Sequence, residues 1–381
     1  MSGEVKQNTS VATGVIATAP SATESASDPA LDTNPESVGA EWHNTTSGQI
    51  FICWDNTAGL NKWKGQKGGV VQTTRGVFWT GTQSAPDTMT TVLDYITIET
   101  LGDATDFGDL SASDAERRNG NACSNGIEGR GVFGGGMTGH PGPTLHNEIF
   151  YIAISTPGDG VDFGDLTQAR SQCSSTSSAS NDRGVWFGGY TGSATTDRID
   201  YVTISNLGNA TDFGNTSPAA TQDTSACSNG TYERGICVGG NRTSLSNVID
   251  YITISSPGNA TDFGNILTAA SYTASCDNRT NDRGVSSGGY TGAHQDVIQY
   301  ITISTPGNSA DFGDLLQPWY GASGVSNGTS ERGMYGGGYP NTGGVNSKVI
   351  QYITINSLGD SADFGDLTVE RSSMGACSDA G

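Results

Sequence analysis

The sequence has few basic residues and no long apolar stretch. Lys and Arg number 18 against 39 Asp and Glu, which gives a net charge of −21 over 381 residues. So acidic a chain is repelled by nucleic-acid backbones and by anionic membrane surfaces. No apolar run approaches the roughly 20 residues that a membrane helix needs, and the start, MSGEVKQNTSVATG, lacks the basic and apolar regions of a signal peptide. We therefore predict neither a nucleic-acid partner nor membrane insertion.

Histidines and catalytic motifs are also scarce. There are four histidines, and although His140 and His146 share one loop, no Cys or carboxylate near them completes a set of metal ligands. No Ser-His-Asp order and no Gly-x-Ser-x-Gly elbow is present. We predict no metal, no cofactor and no enzymatic activity. One alternative stays open, a carbohydrate-active enzyme whose paired carboxylates come from separate loops.

The seven cysteines show no metal-ligand spacing. Cys123, Cys227 and Cys276 each lie seven residues before an Arg-Gly pair, Val325 takes the same place in another copy, and Cys377 fits the same phase. A Cys that Val can replace is typical of a small buried apolar residue. We expect free, reduced thiols.

Glycine is abundant, at 55 residues, and the chain repeats itself. Six copies of one unit recur about every fifty residues, and each contains an Arg-Gly pair, a tyrosine, and an Asp-Phe-Gly whose phenylalanine always lies twelve residues after that tyrosine. The arginines are Arg75, Arg130, Arg183, Arg234, Arg283 and Arg332. The tyrosines are Tyr95, Tyr151, Tyr201, Tyr251, Tyr300 and Tyr352.

Each unit contains four short strand candidates separated by turn signals, for example RGVFGGG, DYITIS, DFGDL and ASYTASCD. Four strands repeated six times predict an all-β fold, a six-bladed β-propeller. The first unit lacks an inner strand before Arg75, and VERSSMGACSDAG at the C-terminus is such a strand without a following unit. We expect the C-terminal strand to close the ring.

The order LTQARSQC, RGVWFGGY, IDYVTISNLGNATDFG resembles the kelch repeat, over residues 71–381. Phe stands where a kelch repeat usually has Trp, so the units are kelch-like. The resemblance implies the propeller fold and leaves the function open, because propellers have many functions.

Loop length varies mainly between the Arg-Gly pair and the tyrosine, which predicts a variable-loop face at one end of the propeller. The most distinctive loops expected there supply Trp319, Tyr320, Tyr339, His140 and His146 as candidates for contact with a ligand or partner. An alternative for Trp319 and Tyr320 is that they cover the top of a blade.

Two segments precede the repeats. Residues 1–32 are rich in Ser, Thr and Ala and predict an extended arm of low complexity. Residues 33–70 predict a small β-hairpin module, with Trp42, Phe51, Trp54 and Trp63 as its candidate attachment residues. The module is similar to one found in tail fibres of tailed bacteriophages, and the repeat style resembles virion proteins of marine phages.

This resemblance implies a non-enzymatic virion protein, assembled in the host cytoplasm and located in the virion. The arm and module would bind other phage structural proteins. The protein would be a peripheral tail-fibre or host-attachment protein, whose propeller has a host surface glycan or protein as a further partner. The alternative is a decoration protein of head or tail, whose propeller binds other virion subunits.

Overall fold

The structure, a computed structural model, describes residues 22–30, 33–45, 50–58, 61–65, 70–71, 74–84, 88–110, 116–126, 129–139, 142–178, 182–229, 233–278, 282–328, 332–340 and 344–379. All the regular secondary structure in these ranges is β-strand, so the all-β prediction is confirmed. The chain divides into two compact units, Met1–Thr73 and Thr74–Gly381.

The first unit contains one five-stranded sheet. Its strands, in sheet order, are β1 (Thr23–Ser25), β2 (Glu41–Asn44), β3 (Ile50–Asp55), β4 (Lys62–Gly65) and β5 (Val70–Val71). β1 runs parallel to β2 and the other neighbours are antiparallel. β1 belongs to the segment that we expected to be an extended arm, so this part of it is a strand of the sheet.

The second unit contains six sheets of repeated design, here sheets I to VI, each given from its inner to its outer strand. Sheet I has β32 (Gly375–Ser378), β6 (Arg75–Thr82), β7 (Met89–Thr97) and β8 (Thr105–Asp109). Sheet II has β9 (Asn121–Ser124), β10 (Arg130–Gly134), β13 (Glu148–Ala153) and β14 (Val161–Asp165). Sheet III has β15 (Ser174–Ser178), β16 (Arg183–Phe187), β17 (Arg198–Thr203) and β18 (Thr211–Asn215).

The remaining sheets follow the same order. Sheet IV has β19 (Ser225–Ser228), β20 (Arg234–Val238), β21 (Val248–Thr253) and β22 (Thr261–Asn265). Sheet V has β23 (Ala274–Asn278), β24 (Arg283–Ser287), β25 (Gln295–Thr302), β26 (Ala310–Tyr320) and the short β29 (Tyr339–Pro340). Sheet VI has β27 (Ser323–Ser326), β28 (Arg332–Gly336), β30 (Val349–Thr354) and β31 (Ala362–Asp366). A separate two-stranded ribbon consists of β11 (Met137–Thr138) and β12 (Thr144–Leu145).

Each sheet is held together by the same three side chains. The arginine of the Arg-Gly pair lies over the ring of the tyrosine on the next strand at 4.6–4.8 Å, and that tyrosine meets the phenylalanine of Asp-Phe-Gly edge to face at 5.8–6.3 Å. Cation–π and aromatic pairs each stabilise by about 0.5–1.5 kcal/mol beyond the burial of their area. The fixed spacing of twelve residues from Tyr to Phe follows from this pairing across adjacent strands.

Neighbouring sheets are joined by the arginines. The guanidinium group of each donates to a main-chain carbonyl in the next sheet at 2.7–3.2 Å: Arg75 to Ile154, Arg130 to Ile204, Arg183 to Ile254, Arg234 to Ile303, Arg283 to Ile355 and Arg332 to Ile98. The last of these bonds runs from sheet VI back to sheet I.

The glycine of the Arg-Gly pair permits close packing between sheets. A Cβ added to Gly131 would lie 2.7 Å from the sulfur of Cys377, and one on Gly184 would lie 2.8 Å from that of Cys123. The other four glycines face Val325, Thr176, Cys227 and Cys276 in the same way. The seven cysteines are buried and unpaired, so the prediction of free thiols is confirmed.

The inner strands contact one another in a cyclic order, from β9 through β15, β19, β23, β27 and β32 back to β9. β32 pairs antiparallel with β6, from Gly375 opposite Trp79 to Ser378 opposite Gly76. The C-terminal strand therefore does complete the first sheet, as its sequence predicted.

Candidate functional site

A ring of six backbone hydrogen bonds surrounds one end of the inner strands, which we call the mouth. The residue two positions before each inner strand donates its main-chain N–H to the main-chain carbonyl of the equivalent residue in the preceding sheet, at 2.6–3.0 Å. The six ring residues are Asn119, Gln172, Asp223, Tyr272, Gly321 and Ser373. The ring closes, because Asn119 donates to Ser373.

All six ring residues have a left-handed backbone, with φ of 56–58° at the five non-glycine residues and 68° at Gly321. This conformation costs most residues about 1–2 kcal/mol. Elsewhere the chain places glycine on a left-handed backbone, as at Gly188, where φ is 55° and a Cβ would also collide with the carbonyl of Thr221. Five side chains are nevertheless kept at the ring, and strain of this kind is concentrated at functional sites.

The mouth opens into a cavity of about 90 Å³ that is lined mainly by amides and hydroxyls. Gln172 donates from Nε2 to the phenol oxygen of Tyr272 at 2.8 Å, and Gln222 donates from Nε2 to Oδ2 of Asp223 at 3.1 Å. Asn119 and Ser373 make no side-chain hydrogen bond with the described residues. The cavity thus offers both donors and acceptors to a molecule that enters it.

Asp223 is the one carboxylic acid among the described residues that line the cavity. It is 6% exposed, and its Oδ1 has no hydrogen-bond partner among the described residues. Burial raises the pKa of Asp223 to about 6, against the opposing effect of the side chains of Gln222, Tyr272 and Gln172. Burial, followed by the charge of Asp223, raises the pKa of Tyr272 as well.

Beside the mouth lies a cluster of five aromatic side chains, which we call the aromatic shelf: Tyr272, Tyr290, His294, Tyr320 and Tyr339. Tyr320 is at its centre, with ring centroids 4.9–5.6 Å from those of the other four. Tyr272 belongs to both the shelf and the mouth. The shelf forms because β26 extends to Tyr320 and pairs there with β29 at Tyr339.

The structure places Tyr320 and Tyr339 together on this shelf, half-buried. Trp319 is fully buried, which agrees with the alternative of a covering role and not with direct ligand contact. It occupies the place, two residues before the ring residue, where Arg117, Arg170 and Arg371 are buried in other sheets. Trp319 replaces a buried arginine of the repeat.

The structure describes one of the two histidine candidates. His140 lies outside the described residues. His146 is hydrogen-bonded to Thr138 through Nε2 at 2.9 Å and to Glu148 through Nδ1 at 3.1 Å, and Glu148 also accepts from Arg117. This network holds the loop after sheet II's Arg-Gly strand and leaves both imidazole nitrogens engaged.

In the first unit, three of the four candidate attachment residues belong to the core. Phe51 and Trp63 are buried with Cys53, and Trp42 packs edge to face on Trp63 at 6.0 Å. Trp54 is 56% exposed, with the ammonium group of Lys62 5.7 Å from its ring centroid. Of the four, Trp54 has the most exposed ring.

The Asp-rich turns act between sheets. The carboxylate or amide oxygen of Asp159, Asn209, Asn259, Asn308, Asp360 and Asp103 accepts from the main-chain N–H that follows Asp-Phe-Gly in the preceding sheet, at 3.0–3.1 Å. Asp and Asn serve equally in this role. No cluster of three or more metal-ligating side chains occurs among the described residues.

Sequence reasoning missed Asp223, Tyr272, Tyr290 and His294. A signal for the ring was present, since each ring residue lies four positions before the small inner-strand residue of its unit, which is Cys123, Cys227 or Cys276 in three of the units.

Within the described ranges, no helix that could span a membrane is found. The sequence matches no protein-family model and no curated protein.

Proposed function

We propose that residues 74–381 form a six-bladed β-propeller with a recognition site at its mouth, within a non-enzymatic virion protein of a tailed bacteriophage. In this proposal the protein is a peripheral tail-fibre or host-recognition protein, and its N-terminal unit attaches it to other virion proteins. The observation that supports recognition best is the mouth itself, with five side chains kept on a left-handed backbone beside the aromatic shelf.

The propeller is supported by the cyclic order of every repeated contact. Sheet VI reaches sheet I through the bond from Arg332 to Ile98, through the packing of Val325 on Gly76, and through the bond from Gly338 to Arg371. An open row of six sheets would leave the first and last without such partners. Closure also gives the first and last sheets packed neighbours and leaves only the short outer strand edges that a propeller normally has.

Recognition at the mouth face is supported by its chemistry. Tyrosines have a rigid apolar ring and a polar tip, and they are enriched among the residues that dominate binding energy. The net charge of −21 favours uncharged or cationic ligands over anionic ones. A two-carboxylate hydrolase would need a second acid opposite Asp223, and Asp223 is the single carboxylate among the described residues that line the cavity.

The virion context is supported by the similarity of the small module to one found in phage tail fibres and by the similarity of the repeat style to virion proteins of marine phages. The exposed ring of Trp54 provides the module with an apolar contact for a virion partner. Large exposed aromatic residues of this kind are typical of interface anchors.

The proposal is tested by labelling purified virions with an antibody against the propeller and imaging them by electron microscopy. We expect label at the tail tip or fibres. Label scattered over the head or along the tail tube would favour the decoration alternative, with the N-terminal unit and propeller both bound to virion subunits. Virions without label contradict the virion role altogether.

A further inference from the structure

The unpartnered oxygen of Asp223 points to a ligand. A buried acceptor without a donor costs about 1–3 kcal/mol, and more when it is charged. Nearly all buried polar groups in folded proteins have a partner, so each exception in a native structure calls for a physical explanation. Asp223 is the one acid among the described residues that line the cavity, and its Oδ1 is buried there without a partner.

We propose that the mouth binds one unit of a neutral saccharide, with a sugar hydroxyl donating to Oδ1 of Asp223 and the apolar face of the sugar ring packed on Tyr272 and Tyr320. The inference rests on the proposed recognition role of this face and specifies its ligand.

The lining matches hydroxyl groups better than charged groups. A hydroxyl both donates and accepts, and the amides of Asn119 and Gln172 and the hydroxyl of Ser373 offer both functions. An ammonium ion only donates, so it would leave the donors of the mouth unused. An anionic sugar would place a second negative charge beside a buried carboxylate, at a cost of several kcal/mol.

The cavity also has a suitable size and shape. A volume of about 90 Å³ holds several water molecules, which the polar side of a sugar ring can displace while its hydroxyls replace their hydrogen bonds. The shelf supplies an aromatic surface at the cavity's edge, because Tyr272 lines the cavity and its ring centroid is 5.6 Å from that of Tyr320.

The test is a titration of the full chain with single sugars, followed by nuclear magnetic resonance. The neutral probes are the methyl glycosides of glucose, galactose and mannose and N-acetylglucosamine, and glucuronate is the anionic probe. We expect at least one neutral probe to bind with a dissociation constant in the millimolar range, about −4 kcal/mol, and glucuronate not to bind.

Two substitutions locate the site. Asp223→Ala removes the acceptor and Tyr320→Ala removes the central ring of the shelf, and each should weaken binding by about tenfold or more, since a charge-assisted hydrogen bond contributes about 1.5–3 kcal/mol. The matched control is Asp277→Asn. Asp277 belongs to the same inner strand as the mouth residue Ser275, but it lines the cavity at the other end, and binding should be unchanged.

Folding of each variant is verified by its melting temperature, and Asp223→Ala removes a buried charge, so we expect it to fold. The proposal is overturned if no neutral probe binds at up to about 100 mM, which is weaker than about −1.4 kcal/mol, or if both substitutions leave binding unchanged. Label on virions together with no sugar binding would reject this inference alone. Sugar binding together with unlabelled virions would reject the virion role alone.

Discussion

Closure of the six sheets can be tested at one glycine. Gly131 in sheet II faces Cys377 on the C-terminal strand of sheet I, and a Cβ on Gly131 would lie 2.7 Å from the sulfur and 3.4 Å from Ile152 and Ile154. A carbon and a sulfur normally approach no closer than about 3.5–4 Å. Gly131→Ala therefore forces the two strands apart, and overpacking of this kind costs about 1–3 kcal/mol.

The same clash disappears when the sulfur is removed. Cys377→Ala alone should destabilise by about 1–3 kcal/mol, because it leaves a small void and takes the acceptor from the indole N–H of Trp79, which lies 3.4 Å from the sulfur. In the double variant the alanine methyl group at residue 131 occupies the vacated space. The double variant should then lose less free energy of unfolding than the two single variants lose in sum, by at least about 1 kcal/mol.

The assay is urea unfolding of the wild type, the two single variants and the double variant. The matched control is the pair Gly184 and Cys123, which has the same chemistry between sheets II and III, where closure by the C-terminal strand is not involved. We expect both pairs to show the same coupling. Coupling at the control pair with strict additivity at Gly131 and Cys377 would mean that β32 does not pack against sheet II, and the closed ring would be refuted.

Three further predictions concern single side chains. Because the folded pKa of Asp223 is about 6, above its unfolded value of 3.8, the stability of the wild type should fall as the pH rises from roughly 4 to 6. In urea unfolding at pH 8, Asp223→Asn should be more stable than the wild type by up to about 3 kcal/mol, and this gain should vanish at pH 4. Arg371→Met leaves the fully buried carboxylate of Asp94, 2.9 Å from the guanidinium, without its cationic partner, so thermal unfolding should reveal a loss of about 3–5 kcal/mol. Asp94→Asn in the same chain should recover most of that loss, and an unrecovered loss would mean that the arginine acts by its volume alone. Trp54→Ala should change the free energy of unfolding by no more than about 0.5 kcal/mol while lowering the number of copies per virion, whereas Trp63→Ala should destabilise by about 3–5 kcal/mol. A wild-type copy number with Trp54→Ala would exclude that ring from attachment.

Much of the architecture could be predicted because its contacts recur with the repeat. The spacing of Tyr and Phe is fixed by their pairing across two strands, and the place of Cys123 by the glycine that it faces in the next sheet. Each contact occurs six times, so the pattern stands out in one sequence. The role of the C-terminal strand was predictable for the same reason, since one unit lacked its inner strand.

The candidate site could not be predicted to the same extent, because it consists of the positions where the repeats differ. Asp223 and Tyr272 occupy equivalent places with unlike side chains, and their register with the inner-strand cysteines marks their position but not their left-handed backbone. Trp319 allowed two interpretations for a related reason: in a loop-like stretch a tryptophan suggests either a surface contact or a covering role, and the register with Arg170 and Arg371 gives it a buried position.

The central claim is that the six sheets close into one ring around the mouth. Hydrogen exchange of the six ring amides in the full chain tests it most directly, because each N–H is bonded to the next sheet. A closed ring opens as one unit, so all six amides should exchange with a common free energy close to that of global unfolding. If the amides of Asn119 and Ser373, which join the C-terminal strand to its neighbours, exchange like free amides while that of Tyr272 stays protected, the ring is open and the account is contradicted.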